Sequence, residues 1–362
     1  MGKKLFDFCI GNPPYQDSTS TNNRQSAVYP FFYDSAEKIA NRYILISPAR
    51  FLFSTGLTQK EWNQKMLMDT HLKVEDYISD SSDVFPNTDI KGGVAIIYRD
   101  KNKKFGAIEE FIPDEHLRTI VKHFKKDIEH SLSSIIYGGR SDLKFNKLFL
   151  NDYPNSKQDR LYAIQKKHSK VIELSPNEEY ELKSSTMEVL SYVFNDDASS
   201  NNANVYRILG LVEGKRVIKT IPEKYMTPRY SNNNIMKYKV MVPESNGSGE
   251  FGEVLSSPLV AVPRMSATPT FISIGCFNTE IEANNLLKYI KTKLVRTLLG
   301  VLKKTQHNAA PNWSYVPLQD FTSSSDIDWS QSIYDIDQQL YKKYGLSQEE
   351  IDFIEKNVKE MV

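Results

Sequence analysis

The feature that most constrains this chain is a short apolar run that ends against two consecutive prolines. Leu5-Phe6-Asp7-Phe8-Cys9-Ile10-Gly11 has the content of a buried strand, and Asn12-Pro13-Pro14 stops it. Proline fixes φ, lacks an N–H and steers the residue before it away from helix. Beyond the prolines, helical and strand patterns alternate. Apolar residues at helical spacing (Phe32, Ala36, Ile39, Ala40) predict a helix from Tyr29, and Tyr43-Ile44-Leu45-Ile46 predicts a strand. Residues 60–68 read as a helix, and 73–78 and 93–98 as further strands. This alternation points to part of a parallel, helix-covered sheet. Residues 5–100 are too few for a complete sheet of that kind with a nucleotide site.

Polar Lys101-Asn102-Lys103-Lys104 predicts a link, so the expected domains are residues 1–104 and 105–362. Residues 115–135 read as helical. From Asn151 the pattern is mixed, with strand-like runs at 205–212, 238–242, 259–262 and 271–274, and a polar loop at 195–204. Residues 280–302 read as one long amphipathic helix with Leu286, Leu287, Ile290, Leu294 and Leu298 on one side. Ser347-Gln348-Glu349-Glu350 is a capping box that opens a last helix to about Met361.

Composition excludes little but locates the charge. Net charge is +1, yet residues 205–310 hold 15 Lys and Arg against 7 Asp and Glu, and residues 311–362 hold 4 against 10. A basic middle segment suits a phosphate-facing surface; a solvated face of an ordinary domain is the alternative. Two cysteines, Cys9 and Cys276, give no disulfide framework, and neither they nor the six histidines show metal-ligand spacing. Both cysteines sit in apolar runs, which suits buried free thiols in a reducing compartment. With no charged-then-apolar leader and no apolar run of spanning length, the expected location is cytoplasmic, away from membranes.

The chemistry lies in Asn12-Pro13-Pro14-Tyr15. The exocyclic amine of an aromatic base is a poor nucleophile because its lone pair is delocalised into the ring. Two acceptors that take its two N–H bonds pull the nitrogen toward a tetrahedral shape. The Asn12 amide oxygen and the Pro13 carbonyl can do this, and two prolines hold the loop stiff, so little reorganisation is needed. Tyr15 offers a flat face for a base that has left the duplex. Open α/β sheets place such groups at the C-terminal ends of their strands. A proline turn that only redirects the chain is the competing reading.

Phe6 to Tyr15 resembles the catalytic motif of N6-adenine DNA methyltransferases of restriction–modification systems. The order, catalytic motifs first and a recognition domain after, is similar to their gamma arrangement. Ser47-Pro48-Ala49-Arg50-Phe51-Leu52 resembles the family's following strand and loop. Residues 84–94 resemble its last catalytic motif, in which Phe85 matches an aromatic residue that packs against the flipped base; a core phenylalanine is the alternative. Distally, residues 282–299 with Lys304-Thr305-Gln306-His307 resemble the closing helix of the recognition domain in methylases fused to restriction functions, and residues 341–354 resemble their C-terminal tail. The resemblance implies an α/β chain: a partial Rossmann-like methyltransferase sheet followed by a mixed α+β target-recognition domain. It implies S-adenosylmethionine as methyl donor and double-stranded DNA as partner. In the family a glycine-rich donor loop lies far upstream of the tetrad, whereas only 11 residues precede it here. The expectation is therefore a second subunit carrying the cofactor-binding motifs, a nuclease or both, or a truncated or degenerate product. The one G-x-G-x-x-G, Gly247 to Gly252, precedes a loop and a strand with Pro258 and reads as a loop.

Further candidates for DNA contact are Arg140 beside two glycines, Lys215, Arg216 and Lys219, and Arg264 in a proline-bounded loop, which could read guanine bidentately. Lys303, Lys304 and His307 sit at a helix end, where cations also serve as caps. The same residue types on an exposed loop need have no ligand. No Ser/His/Asp or Cys/His nucleophile and no nuclease core stands out. Competing functions are a DNA-recognition subunit with a relic tetrad, and a methyltransferase for protein or RNA. The long region after the tetrad argues against the latter.

Overall fold

In the computed structural model, residues 4–16, 27–53, 58–86, 88, 90, 92–168, 174–175, 177–196, 204–247, 250–303 and 306–361 are described. They fall into two units, Met1–Asp114 and Glu115–Val362. The first unit runs β1 (Phe6–Gly11), α1 (Tyr29–Ile39), β2 (Ala40–Pro48), α2 (Lys60–Met68), β3 (Leu72–Ile78) and β4 (Val94–Asp100). Its four strands lie in the order β1-β2-β4-β3. β1 and β2 are parallel, with Phe8 opposite Arg42 and Ile10 opposite Ile44, and α1 makes the crossover. β4 runs antiparallel to both β2 and β3. The sheet is therefore mixed, and the expectation of a parallel sheet holds for β1 and β2 alone. Among the described residues between β3 and β4 there is a short 3-10 turn at Ser81–Asp83 and no crossover helix, and β4 returns antiparallel beside β3.

The apolar stripe expected on α1 holds at Ala36 and Ala40 and fails at Phe32. Tyr29, Tyr33 and Ala36 are buried, while Phe32 stays 43% exposed. Tyrosines can take these core positions because the Tyr33 hydroxyl bonds Ser47 Oγ at 2.9 Å, with both groups buried. Around them Trp62 packs edge-on and Phe51 at a tilt, with ring centroids 5.3 to 6.3 Å apart. The core continues past the polar link, since Phe111 packs 5.6 Å from Phe53 and 5.4 Å from Tyr77.

β1 is not buried. It is the last strand of its sheet, and Phe6, Phe8 and Ile10 are 57%, 44% and 77% exposed. Its apolar content misleads because none of the described residues covers its outer edge or completes its faces.

The second unit contains α3 (Glu115–Lys122), β5 (Ile136–Tyr137), β6 (Leu143–Phe145), α4 (Lys147–Asp152), α5 (Ser156–His168), α6 (Thr186–Val189) and β7 (Asn195–Asp196). It continues with β8 (Val205–Val212), β9 (Lys215–Pro222), β10 (Met226–Pro228), β11 (Tyr238–Pro243), β12 (Leu259–Ala261), β13 (Met265–Ala267) and β14 (Phe271–Phe277). The chain closes with α7 (Glu280–Lys291), α8 (Lys293–Leu302), α9 (Ile333–Tyr344) and α10 (Gln348–Asn357). Small sheets β12-β11-β14-β5 and β13-β8-β9-β7, with the pair β10-β6, form a mixed α/β body.

Three sequence expectations change here. Residues 115–135 are helical only to Lys122, and 3-10 turns follow at Lys125–His130 and Leu132–Ile135. β9, absent from the expected strands, forms a hairpin with β8 through Glu213 and Gly214, both at positive φ. The long helix is two. Thr292 caps α8 by accepting the Val295 N–H, and the buried Asp337 accepts the N–H groups of Lys293 and Leu294 at 2.8 and 3.0 Å. The expected capping box at Ser347 and Glu350 is present and opens α10.

Candidate active site

β1 delivers the tetrad directly from its C-terminal end. Asn12 is exposed, Pro13 is buried and Pro14 is exposed. The buried proline anchors the corner while the amide beside it faces solvent. Tyr15 is half-buried, and its backbone carbonyl accepts the Val28 N–H at 3.2 Å. Tyr15, Tyr29, Pro48, Arg50 and Ile90 are among the residues lining a hollow of about 140 Å3. That is well below the roughly 300–1,000 Å3 of clefts for drug-sized ligands, so it suits one small ring system. Asn12 and Pro13 lead into Tyr15 but are not lining residues.

The Tyr15 hydroxyl is buried without a hydrogen-bond partner. Burial pushes this phenol up, and burial pushes Tyr29 up to about 12, partly offset by Arg50 and the Thr58 hydroxyl. Both therefore keep their protons at neutral pH. An unpartnered buried hydroxyl costs free energy that a ligand's acceptor could return.

Phe85 meets Tyr15 edge-on, with centroids 6.3 Å apart and planes at 69°. Its loop is tied down locally. Phe85 N–H donates to the Ser81 carbonyl at 2.8 Å, and the Thr88 hydroxyl donates to the Phe85 carbonyl at 2.6 Å. Gly93 closes the loop at φ +75°, where a Cβ would lie 2.3 Å from the Ile78 carbonyl oxygen; only glycine fits. Three segments separate in sequence, the tetrad, the Ser47–Arg50 strand end and the loop carrying Phe85 and Ile90, thus meet at one place. Sequence reading assigns no role to Tyr29, Arg50 or Ile90. Pro48 and Arg50 lie at the end of β2, the strand parallel to β1, and strand ends are where such residues can be sought.

The second-unit candidates look different. Arg264, at φ +68°, donates from Nη2 to Glu223 at 2.6 Å and from Nε to the Val205 carbonyl at 3.2 Å, and it lies 5.0 Å from the Tyr206 ring. That fork is engaged within the domain rather than presented to a guanine. Arg216 donates to the Ser256 and Ser257 carbonyls and lies over Phe271. Lys219 pairs with Asp196 at 2.7 Å, and His307 with Glu244 at 2.9 Å. Lys303 is buried against Glu253 and the Asn246 carbonyl. Lys215 at the hairpin tip and Arg140 are exposed, and Arg140 borders a polar groove of about 370 Å3. Lys304 lies outside the described residues.

Neither the residues around the tetrad nor the glycine motif at 247–252 fit S-adenosylmethionine. The hollow is small for a nucleoside with an amino-acid chain, and the glycine motif has another use. A Cβ at Gly252 would lie 2.2 Å from the Asn357 carbonyl oxygen, and the Lys359 N–H donates to the Gly252 carbonyl at 3.1 Å. That glycine admits the chain after α10, and no helix opens behind it to cradle a phosphate or ribose.

Residues 1–85 match the model of the family described as Eco57I restriction-modification methylase. The matched segment contains the whole of β1, the tetrad and Phe85. A protein named an uncharacterized adenine-specific methylase, from Mycoplasma pneumoniae (strain ATCC 29342 / M129 / Subtype 1), is 33% identical over 98 residues. That alignment covers 26% of this chain and 23% of the relative, so the chain spans less than a quarter of the relative's length. Both matches are to methylases, and each falls on about a quarter of this chain. Among the described residues, no group of three or more His, Cys, Asp and Glu is placed to hold a metal ion, and no helix is long and apolar enough to cross a membrane.

Proposed function

We propose that this chain carries the acceptor half of a site-specific DNA methyltransferase for adenine N6 and works with a second polypeptide. The carrying observation is the corner at the end of β1: Asn12 in solvent, Pro13 anchored beneath it, and Tyr15, whose buried hydroxyl has no partner, lining a hollow sized for one ring system. An adenine extruded from the duplex would offer its two amine N–H bonds to the Asn12 side-chain oxygen and the Pro13 carbonyl. Tyr15 would stack on the ring, and Phe85 would buttress Tyr15 and limit the ring's other edge. These groups are held before the reaction, which is how a fixed polar frame lowers a barrier.

The methyl donor, S-adenosylmethionine, would be bound by the partner. Two observations support this reading: the hollow beside the tetrad is too small for the donor, and among the described residues nothing pairs with the outer edge of the apolar strand β1 next to the tetrad. An exposed edge of this kind is a template for another chain. Residues from about 105 onward form the target-recognition domain in this proposal, with Arg140 and Lys215 as its exposed cations and double-stranded DNA as its partner.

The test is Asn12→Ala in the reconstituted complex. Methyl transfer to adenine should fall by about 10²–10³ or more, the loss seen when one preorganised polar group is removed. DNA affinity and chain stability should stay unchanged, because Asn12 is exposed. Unchanged methylation would remove the assignment. A chain that binds specific DNA yet supports methylation with no partner would favour a recognition subunit whose tetrad is a relic.

A further inference from the structure

The second unit contains a cavity of about 550 Å3 that the methylation reading does not use. Arg160, on α5, lines it and is only 7% exposed. Its guanidinium lies over the Phe145 ring, 5.1 Å from the centroid, and Nη1 donates to the Glu181 carbonyl at 2.6 Å. Nε and Nη2 are buried and have no acceptor. Those two nitrogens form one edge of the guanidinium, the parallel pair of donors that grips a carboxylate or phosphate by two oxygens.

Nearby carboxylates do not fill this edge. Glu178 is held down to about 2 by the Ser175 hydroxyl, then by Lys183 and the Ser175 N–H. Glu188 accepts the Glu213 N–H at 2.6 Å. Burial lowers Arg160 to about 10, which still leaves it charged at neutral pH. A buried cation with two unmatched donors is costly, and such groups are normally paired. Ile164, Leu174 and Val189 also line the cavity, so its lining is partly aliphatic.

We infer that this cavity binds a small organic oxyanion, a carboxylate or phosphate monoester on a partly apolar body, held by the Nε–Nη2 edge of Arg160. The volume lies within the usual range for small-molecule sites. Both nitrogens are closed to water in the free chain, so the side chains over them must shift for an oxyanion to reach this edge. Once there, a bidentate partner replaces no strong hydration, and the low local dielectric strengthens each bond. The inference concerns the second unit alone and stands whether or not the chain methylates DNA.

Calorimetric titration of the full chain with phenyl phosphate, benzoate and neutral benzyl alcohol tests it. At least one oxyanion should bind about tenfold or more tightly than the alcohol and shift the Arg160 Nε–H NMR resonance. Arg160→Gln should remove that preference, while Arg140→Gln should retain it. Binding of phenyl phosphate alone identifies a phosphate monoester site, benzoate alone a carboxylate site, and both a site for the shared oxyanion. If Arg160→Gln fails to fold, Arg160→Lys keeps the charge without the fork and should bind about tenfold more weakly. No oxyanion preference, a stationary Arg160 resonance, or unchanged binding in the variants overturns the proposal.

Discussion

The tetrad of the first unit and the basic residues of the second treat their polar groups differently. At the tetrad the first unit leaves them unspent: Asn12 is in solvent, the Tyr15 hydroxyl is unpartnered, and Ile10 is 77% exposed on a strand whose outer edge no described residue pairs. The second unit pairs many of its cations with its own acids. Lys239 with Asp142, Arg229 with Glu181, Arg264 with Glu223 and Lys293 with Glu355 all lie between 2.5 and 2.8 Å. A group meant for an outside partner must be unsatisfied in the free chain. A count of basic residues cannot distinguish a phosphate-facing cation from a structural one, because both carry the same charge.

The buried pair Lys239–Asp142 gives the largest predicted effect. Lys239 is fully buried and also donates to the Asn234 carbonyl at 3.0 Å. Lys239→Met leaves Asp142 charged and unpaired in the interior, a loss of about 3–5 kcal/mol. Urea unfolding in a Trp62→Phe background, where Trp313 and Trp329 report the second unit, measures it. The double variant Lys239→Met with Asp142→Asn should recover much of the loss. A single variant as stable as wild type would mean that this unit's internal pairing is not what holds it.

Asp337 sharpens the same contrast through pH. Burial raises its carboxyl to about 7, against the lowering effect of the Leu294 and Lys293 N–H bonds. An acid whose folded pKa is raised holds its proton in the native state after the unfolded chain has released it. Its contribution to stability is therefore greatest near pH 4 and declines as pH rises toward 7. Asp337→Asn removes this dependence and weakens the cap on α8, an effect on the order of 1–2 kcal/mol. The stability advantage of wild type over Asp337→Asn should shrink from pH 4 to pH 7 in paired thermal melts; a constant or growing difference would contradict it.

Arg264 and Lys215 separate structural from phosphate-facing cations directly. Arg264→Ala removes a half-exposed ion pair, a backbone hydrogen bond and a ring contact, which together should cost about 1–2 kcal/mol. Lys215→Ala should leave stability within about 0.5 kcal/mol. If the hairpin tip faces DNA, it should also reduce the salt slope of binding by about 1. Reversed outcomes would mean that the pairing seen in the free chain opens on DNA.

Much of the first unit is legible in the sequence because local signals and tertiary demands agree. Helix α2 lies at the bounds its pattern predicts, and β2, β3 and β4 lie close to theirs, from apolar runs between turn residues. The Asn12–Tyr15 corner is legible because prolines dictate backbone geometry wherever they occur. Failures arise where a distant partner decides. The break at Thr292 is set by Asp337, 45 positions onward, whose carboxylate replaces helix hydrogen bonds that periodicity assumes. Hydropathy misplaces the stripe of α1 because it ranks Phe32 above Tyr33, whereas Ser47 lets the tyrosine go inside. Arg264 reads like an exposed loop arginine until Glu223 is placed beside it.

The smallest stability effect tests the first unit's open edge. Ile10→Ser and Phe6→Ser change side chains that the free chain scarcely buries, so each should alter the first unit's stability by about 0.5 kcal/mol or less. A buried strand would respond differently, because removing an enclosed isoleucine or phenylalanine costs about 2–5 kcal/mol. If β1 pairs with a partner's strand, the same residues become buried in the complex. The substitutions should then weaken association by about tenfold or more per site while leaving the free chain intact, and methyl transfer at limiting partner concentration should fall in proportion. Titrating partner into wild-type and Ile10→Ser chains separates the cases. Equal affinity for both would show that the exposed edge is not the contact, and the donor-binding partner would have to reach the tetrad from another side.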